Sequence, residues 1–188
     1  MAVTTHALLL TRQWFDRSDG ITLTFWARAE SGPVKVVFTQ QEAVLFVDRS
    51  TKHQRAVRRR ELELMHFDGA PIDALYFRNQ RDLDAERTRL REDFARTMEG
   101  TVKPHDRFLM ERFITGSMAI TGEPLAREGY LEFVNPRVKP SQYTPALKLM
   151  AFDIETDGFD GPLLSIAAAG AGGDRVWMRG QAGDEDED

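Results

Sequence analysis

Cysteine is absent from the 188-residue chain, and this absence excludes several kinds of chemistry. A disulfide framework, a zinc site built from thiolates and a cysteine nucleophile are all ruled out. Any bound metal must therefore use oxygen or imidazole ligands. The four histidines show no spacing that suggests a shared metal: His6, His53, His66 and His105.

Long apolar runs are absent as well. The longest aliphatic stretch near the start covers residues 7–10, and no basic leader precedes it. Such a stretch is too short for a membrane-spanning helix or a signal-peptide core. We therefore expect no membrane partner and a cytoplasmic location. The length fits one domain of ordinary size, with some residues left over.

The chain also has no excess of positive charge, because it contains 25 Lys and Arg residues and 30 Asp and Glu residues. The last five residues, 184–188, are all acidic, so the rest of the chain is balanced in charge. Within it, a run of nine residues concentrates basic side chains: Lys52, His53, Arg55, Arg58, Arg59 and Arg60. Such a run can contact phosphates, although a solvated surface segment is the more common role.

Alternating apolar and polar residues predict strands through most of the first eighty residues. The clearest strand covers residues 21–27, and the Asp19-Gly20 pair predicts a hairpin turn from a strand at residues 8–15. Further strands are predicted at 34–39, 43–47, 61–67 and 74–77. Together they predict a curled, mostly antiparallel sheet.

Two helices are predicted between residues 81 and 116. The first covers residues 81–99, ends at Gly100 and carries a Glu92–Arg96 ion pair. Its apolar stripe consists of Leu83, Leu90, Phe94 and Met98. The second begins near Pro104 and ends at Gly116. Its large apolar residues predict burial against more than one neighbour: Phe108, Leu109, Met110 and Phe113.

The remaining residues predict strands and a linker. Residues 118–121 and 130–134 suggest a hairpin, and the prolines between 136 and 145 mark a linker. Three more strand-like runs follow, at residues 147–154, 162–168 and 175–178. The curled sheet with its two helices, followed by a β meander, predicts an α+β fold. Three strands without a covering helix make only half a domain. Its first domain is 1–146, and 147–188 begins a second, incomplete one.

Two carboxylates stand out at the end of an apolar strand, in the segment 147–156 with the sequence LKLMAFDIET. Strand geometry places Asp153 and Glu155 on the same face, roughly 7 Å apart. Such a pair can hold divalent cations, and two-metal nucleases and polymerases use metals about 4 Å apart to stabilise the attacking and leaving oxygens. Asp153 and Glu155 are therefore candidate catalytic residues and candidate ligands for Mg²⁺ or Mn²⁺.

Two other interpretations of these acids remain. In the first, the acids are ordinary surface groups at a strand end. In the second, they begin a calcium loop in the pattern Asp153-x-Glu155-x-Asp157-Gly158. The calcium loop is disfavoured, because Leu164 occupies its twelfth position and a strand precedes it where a helix is required.

Three segments resemble family B DNA polymerases of the bacterial DNA polymerase II type. The string at 147–156 resembles their first exonuclease motif, an apolar strand that ends in Asp-Ile-Glu-Thr. Residues 107–115, RFLMERFIT, resemble a segment upstream of that motif. Residues 9–14 and 24–26 are similar to the amino terminus of the same family. The three matches occur in the family's order.

The resemblance implies the amino-terminal part of a DNA-directed DNA polymerase with a 3′–5′ proofreading exonuclease, active in replication or repair. In that family Asp153 and Glu155 would bind the metal ions of the exonuclease, with Asp153 shared between them. The strands after residue 147 would be the β meander that begins a ribonuclease-H-like domain. The implied partners are template–primer DNA and deoxynucleotides, with a sliding clamp as a further candidate.

The other exonuclease and polymerase motifs of the family have no counterpart in the 188 residues, so we expect the chain alone to be inactive. A stand-alone nucleic-acid-binding module is the alternative. Three tryptophans could stack on bases, although packing is the more common role. They are Trp14, Trp26 and Trp177. Only Trp26 lies on the strand face that is predicted to be exposed.

Overall fold

The structure is a computed structural model that describes residues 1–170 and 172–180. The chain divides into two compact units, Met1–Pro145 and Ala146–Asp188. The acidic residues 184–188 lie outside the described part. Among the described residues, no helix is both long and apolar enough to cross a membrane.

The first unit consists mostly of strands, with two helices. In chain order its elements are β1 (Val3–Arg17), β2 (Gly20–Ala29), β3 (Gly32–Gln41), β4 (Ala43–Asp48), β5 (Arg58–Met65), β6 (Pro71–Phe77), α1 (Gln80–Glu92), β7 (Thr97–Met98), α2 (Pro104–Met110), β8 (Ser117–Gly122), β9 (Leu125–Arg127), β10 (Tyr130–Val134) and β11 (Arg137–Pro140).

These strands form two sheets, one of seven strands in the order β11-β8-β1-β2-β3-β10-β9 and one of four in the order β5-β6-β4-β7. The pairs are antiparallel except for β3 with β10, which is parallel. The predicted curled, mostly antiparallel sheet with two helices is confirmed.

Period-two alternation determines which face of β2 is buried. The core residues on that face are Ile21, Leu23, Phe25 and Ala27, and they pack with Val34 and Val36 of β3. The turn before β2 requires glycine, because Gly20 has a φ of +138° and a Cβ there would lie 2.8 Å from Gln40 Cα. The hairpin expected at this position is therefore present.

Helix α1 ends seven residues earlier than predicted, at Glu92. Phe94 adopts a φ of 55°, and the Ala95 amide donates to the carbonyl of Leu90 at 2.9 Å. The chain then pairs with β4 as strand β7, so the apolar residues after Glu92 do not continue the helical stripe. The predicted Glu92–Arg96 pair was wrong, since Arg96 binds Asp68 instead.

Helix α2 begins at Pro104, as predicted, but it ends at Met110 and not near Gly116. Phe113 has a φ of 54° and is 82% exposed. The predicted burial of all four apolar residues is therefore correct only for Phe108 and Leu109. Phe108 packs against the ring of Phe38, with 4.3 Å between the ring centroids.

The predicted hairpin after α2 was wrong. Strand β8 pairs with β1 and β11, whereas β10 pairs with β3 and with the short strand β9. The predicted linker also contains a strand, because residues of β11 find backbone partners along β8. Both differences arise from pairing between segments that are distant in sequence.

The second unit is a three-stranded antiparallel sheet. Its strands are β12 (Met150–Thr156), β13 (Leu163–Gly170) and β14 (Arg175–Met178), in that order across the sheet. All three overlap the strand-like runs predicted after residue 147, with shifts of up to three residues at their ends.

Candidate metal site

Asp153 and Glu155 lie on β12, and both side chains are exposed. Asp153 is opposite Ala167 and Glu155 is opposite Ser165, in a regular register that shifts only after Glu155. The two acids therefore point to the same face of the sheet, with Cα atoms about 7 Å apart. Asp153 Oδ1 also accepts a hydrogen bond of 3.0 Å from the Ile154 amide.

The residues directly opposite these acids on β13 have small side chains. The neighbours across the strands are Ala167 and Ser165, and Val176 follows on β14. An open depression of about 420 Å³ is lined by Asp153, Ala167 and Val176, among others. Met178 of β14 lies opposite Ser165 on this face as well, beyond the partner of Glu155.

The donor set at this position is incomplete. Within residues 1–170 and 172–180, no group of three or more acidic or histidine side chains is arranged to hold a metal ion. Mg²⁺ is often bound through one or two carboxylates and several waters, so two acids are a fitting but partial set of ligands. Metal binding by Asp153 and Glu155 stays a prediction.

The opposite face of this sheet is apolar and exposed. Phe152 and Ile154 of β12 are 70% and 53% exposed, and Trp177 of β14 is 50% exposed. Ile166 of β13 pairs with both Ile154 and Trp177, so these residues share one face. The packing expected for Trp177 is therefore absent from the described residues, whereas Trp14 packs against the core of the first unit. Large exposed apolar patches mark surfaces that contact other protein.

Two arginines of the basic run at residues 52–60 have structural roles. Arg58 donates to Glu42 at 2.6 Å and stacks on the ring of Tyr76 at 3.4 Å. Arg59 binds the buried Asp73 at 2.7 Å. The hypothesis that these two arginines contact phosphates is therefore not favoured, because acidic and aromatic partners within the chain already bind them.

Two buried carboxylates were missed by the sequence interpretation. Burial by itself raises the pKa of Asp73, but hydrogen bonds from Arg59 and Arg49 outweigh it and hold the pKa below its usual value. Burial also raises the pKa of Glu86, and hydrogen bonds, first from Arg89, outweigh this effect and lower the pKa. The available signal was that Glu86 lies on the buried stripe of α1, between Leu83 and Leu90.

The histidines lie apart and form no common site among the described residues. His6 Nδ1 lies 2.7 Å from Ser141 Oγ, and His66 Nδ1 lies 3.2 Å from Asp68. Burial lowers the pKa of His105.

Comparison with known proteins links the chain to one kind of enzyme. A family model described as DNA polymerase II, N-terminal, matches residues 8–42, which include β2, β3 and most of β1. DNA polymerase II of Escherichia coli (strain K12) is 35% identical over 181 residues, which is 92% of this chain and 22% of that protein. The chain resembles the amino-terminal part of DNA polymerase II.

The fold agrees with this similarity. The family B DNA polymerase from the hyperthermophilic archaeon Pyrobaculum calidifontis matches 92% of this chain and 26% of its own, with a TM-score of 0.67 and 14% identity. At that identity the match shows the fold alone. The chain spans about a fifth of the length of the DNA polymerase II that it matches.

Proposed function

We propose that the chain forms part of a DNA-directed DNA polymerase of family B that also carries a 3′–5′ exonuclease and acts in DNA replication or repair. The observation that carries the proposal is the 35% identity to DNA polymerase II, which extends through both units. Template–primer DNA and deoxynucleotides would be its substrates, a sliding clamp is a further candidate partner, and the cytoplasm is its expected location. The 188 residues alone should not synthesise DNA.

The second unit, in this proposal, is the beginning of a ribonuclease-H-like exonuclease domain. Two observations support it: the antiparallel meander of β12 to β14, and the contrast between its two faces. One face presents Asp153 and Glu155, with the small residues Ala167 and Ser165 directly opposite them on β13. The other presents large apolar residues such as Phe152, which the rest of a domain would cover.

Family B DNA polymerases depend on divalent metal ions in general. Asp153 and Glu155 would bind Mg²⁺ or Mn²⁺ in the exonuclease, with Asp153 shared between two ions. When bound, the ions would activate water and stabilise the leaving oxygen of the phosphodiester. The contribution of the chain is to hold the two carboxylates on one rigid strand and to leave the space above Ala167 open.

The proposal is tested by Asp153→Asn and Glu155→Gln in the full-length protein. Each change should abolish removal of a mismatched primer end while primer extension continues, because the two acids serve the exonuclease only. Asp157→Asn is the matched control, since Asp157 is an exposed acid in the turn after β12. Exonuclease activity that survives both substitutions would refute the assigned roles.

The gene provides a separate test of the larger assignment. An open frame that continues past codon 188 into further exonuclease and polymerase motifs supports it. A stop codon there would favour a stand-alone nucleic-acid-binding module.

A further inference from the structure

A serine on β13 lies beside the candidate metal site, and packing of the sheet does not account for it. Strand β13 has the sequence LLSIAAAG, so Ser165 is its one residue with a polar side chain. Register places Ser165 directly opposite Glu155, on the face that carries the two acids. Ser165 is half-buried, and a half-buried hydroxyl needs a hydrogen-bond partner to offset the loss of water.

The neighbours of Ser165 on this face leave Glu155 as its strong hydrogen-bond acceptor. Met178 of β14 is its partner on the other side, and Ala167 is the next residue of β13 on the same face. A thioether accepts hydrogen bonds only weakly, and an alanine side chain accepts none. The diagonal neighbour Asp153 lies about 7–8 Å away, so the Glu155 carboxylate is the acceptor within reach.

The lengths of the two side chains allow this contact. Directly opposite residues of antiparallel strands have Cβ atoms about 4.5–5.5 Å apart, so Glu155 can bring one carboxylate oxygen within about 3 Å of the Ser165 hydroxyl. Asp153 differs, because its shorter side chain already accepts a hydrogen bond of 3.0 Å from the Ile154 amide. Glu155 is exposed and has more rotatable bonds, so it needs a second group to fix its orientation.

We propose that Ser165 is a positioning residue for Glu155 in the exonuclease: its hydroxyl donates to one carboxylate oxygen and directs the other oxygen toward the metal site. Groups that hold a metal ligand in this way typically contribute about 10–100-fold to metal affinity or activity. The inference rests on the proposed exonuclease function and deepens it, because it names a third residue at that site.

The test compares Mn²⁺ binding by the full-length protein and by its Ser165→Ala variant. Electron paramagnetic resonance measures free Mn²⁺ in the absence of DNA, and the binding that Asp153→Asn removes defines the exonuclease site. Half-saturation of that site should require about ten-fold more Mn²⁺ in Ser165→Ala, because Glu155 is no longer held. Ser165→Thr keeps the hydroxyl and should restore most of the affinity.

Ser31→Ala is the matched control, because Ser31 is an exposed serine in the turn between β2 and β3, in the other unit. It should bind Mn²⁺ as the unchanged protein does. Ser165→Cys keeps the approximate volume of serine but has only a weak donor, so it should bind like Ser165→Ala. Thermal melts and primer extension show that each variant is folded, and the cysteine variant gives the answer if the alanine variant does not fold.

A double-mutant cycle determines whether Ser165 acts through Glu155. In a Glu155→Ala background, Ser165→Ala should change Mn²⁺ binding no further, because the acceptor is already absent. Equal binding by Ser165→Ala and Ser31→Ala, or a further loss in the Glu155→Ala background, would overturn the inference while the exonuclease assignment stands. If Asp153→Asn removes neither Mn²⁺ binding nor exonuclease activity, the exonuclease assignment itself is wrong.

Discussion

Removal of the Glu86 carboxylate should strongly destabilise the first unit. Its side chain is 0% exposed on α1. It accepts hydrogen bonds from the amides of Gln54 and Arg55 at 3.1 Å and 3.2 Å, and Arg89 donates to it at 2.5 Å. One carboxylate thus ties the loop after β4 to the helix.

The expected loss of stability follows from the charge that Glu86→Ala leaves without its partner. Breaking a buried ion pair costs about 3–5 kcal/mol, because the other charge loses its partner. Here Arg89 is 24% exposed and keeps Asp93 at 2.6 Å, so the low end, about 3 kcal/mol, is expected. For a unit of this size, that corresponds to a fall in Tm of roughly 6–12 °C.

Urea denaturation and thermal melts of Glu86→Ala, Glu86→Gln and Glu92→Ala measure the effect. Glu86→Gln should cost less than the alanine variant, because the amide keeps an oxygen acceptor for the loop. Glu92 is exposed at the end of the same helix, so its replacement should change stability by less than about 0.5 kcal/mol. If Glu86→Ala and Glu92→Ala are equally stable, the account of this carboxylate is wrong.

The stability that Glu86 contributes should decrease at low pH. Burial raises the pKa of Glu86, but hydrogen bonds, first from Arg89, outweigh it and lower the pKa below the usual 4.5. A group with a lowered folded pKa stabilises the protein above its unfolded pKa, and this contribution is lost as pH falls through the folded value. The difference in stability between the chain and Glu86→Gln should therefore shrink below about pH 4.5.

Two further predictions concern backbone geometry and an exposed acid. Gly20→Ala should destabilise the first unit by about 1–3 kcal/mol, because its Cβ would lie 2.8 Å from a backbone carbon. Gly129→Ala, with a φ of +80° but open surroundings, should cost less in the same melts. Asp68 should titrate by NMR at about 2, because the Ala70 amide and then Arg96 donate to it. In Arg96→Ala that midpoint should rise but stay below the usual value; an unchanged midpoint would contradict the role of Arg96.

Sequence patterns predicted the strands better than their partners. The alternation in β2 and the glycine before it are local properties, so the first hairpin was found correctly. The pairing of β10 with β3 joins segments about ninety-seven residues apart, and no local pattern encodes it. Both helices end earlier than predicted: Phe94 and Phe113 have positive φ, and the amides of Ala95 and Ile114 donate back to Leu90 and Leu109. After α1 the chain then pairs with β4.

The candidate site shows the same division. Asp153 and Glu155 could be placed on one face from the period of a strand, and the structure has them on β12 opposite Ala167 and Ser165. The sequence pattern did not predict which acids bind the arginines of the basic run. Arg59 is bound by Asp73 from another strand, and that contact exists only after folding.

The sequence by itself determined which residues face the core within each strand, where glycine is required, and where two carboxylates share a face, because these properties depend on neighbours a few positions away. The tertiary structure alone decided which strands pair, including β7 after α1, and which charges are neutralised inside the protein. Those outcomes depend on backbone and side-chain groups brought together from distant parts of the chain.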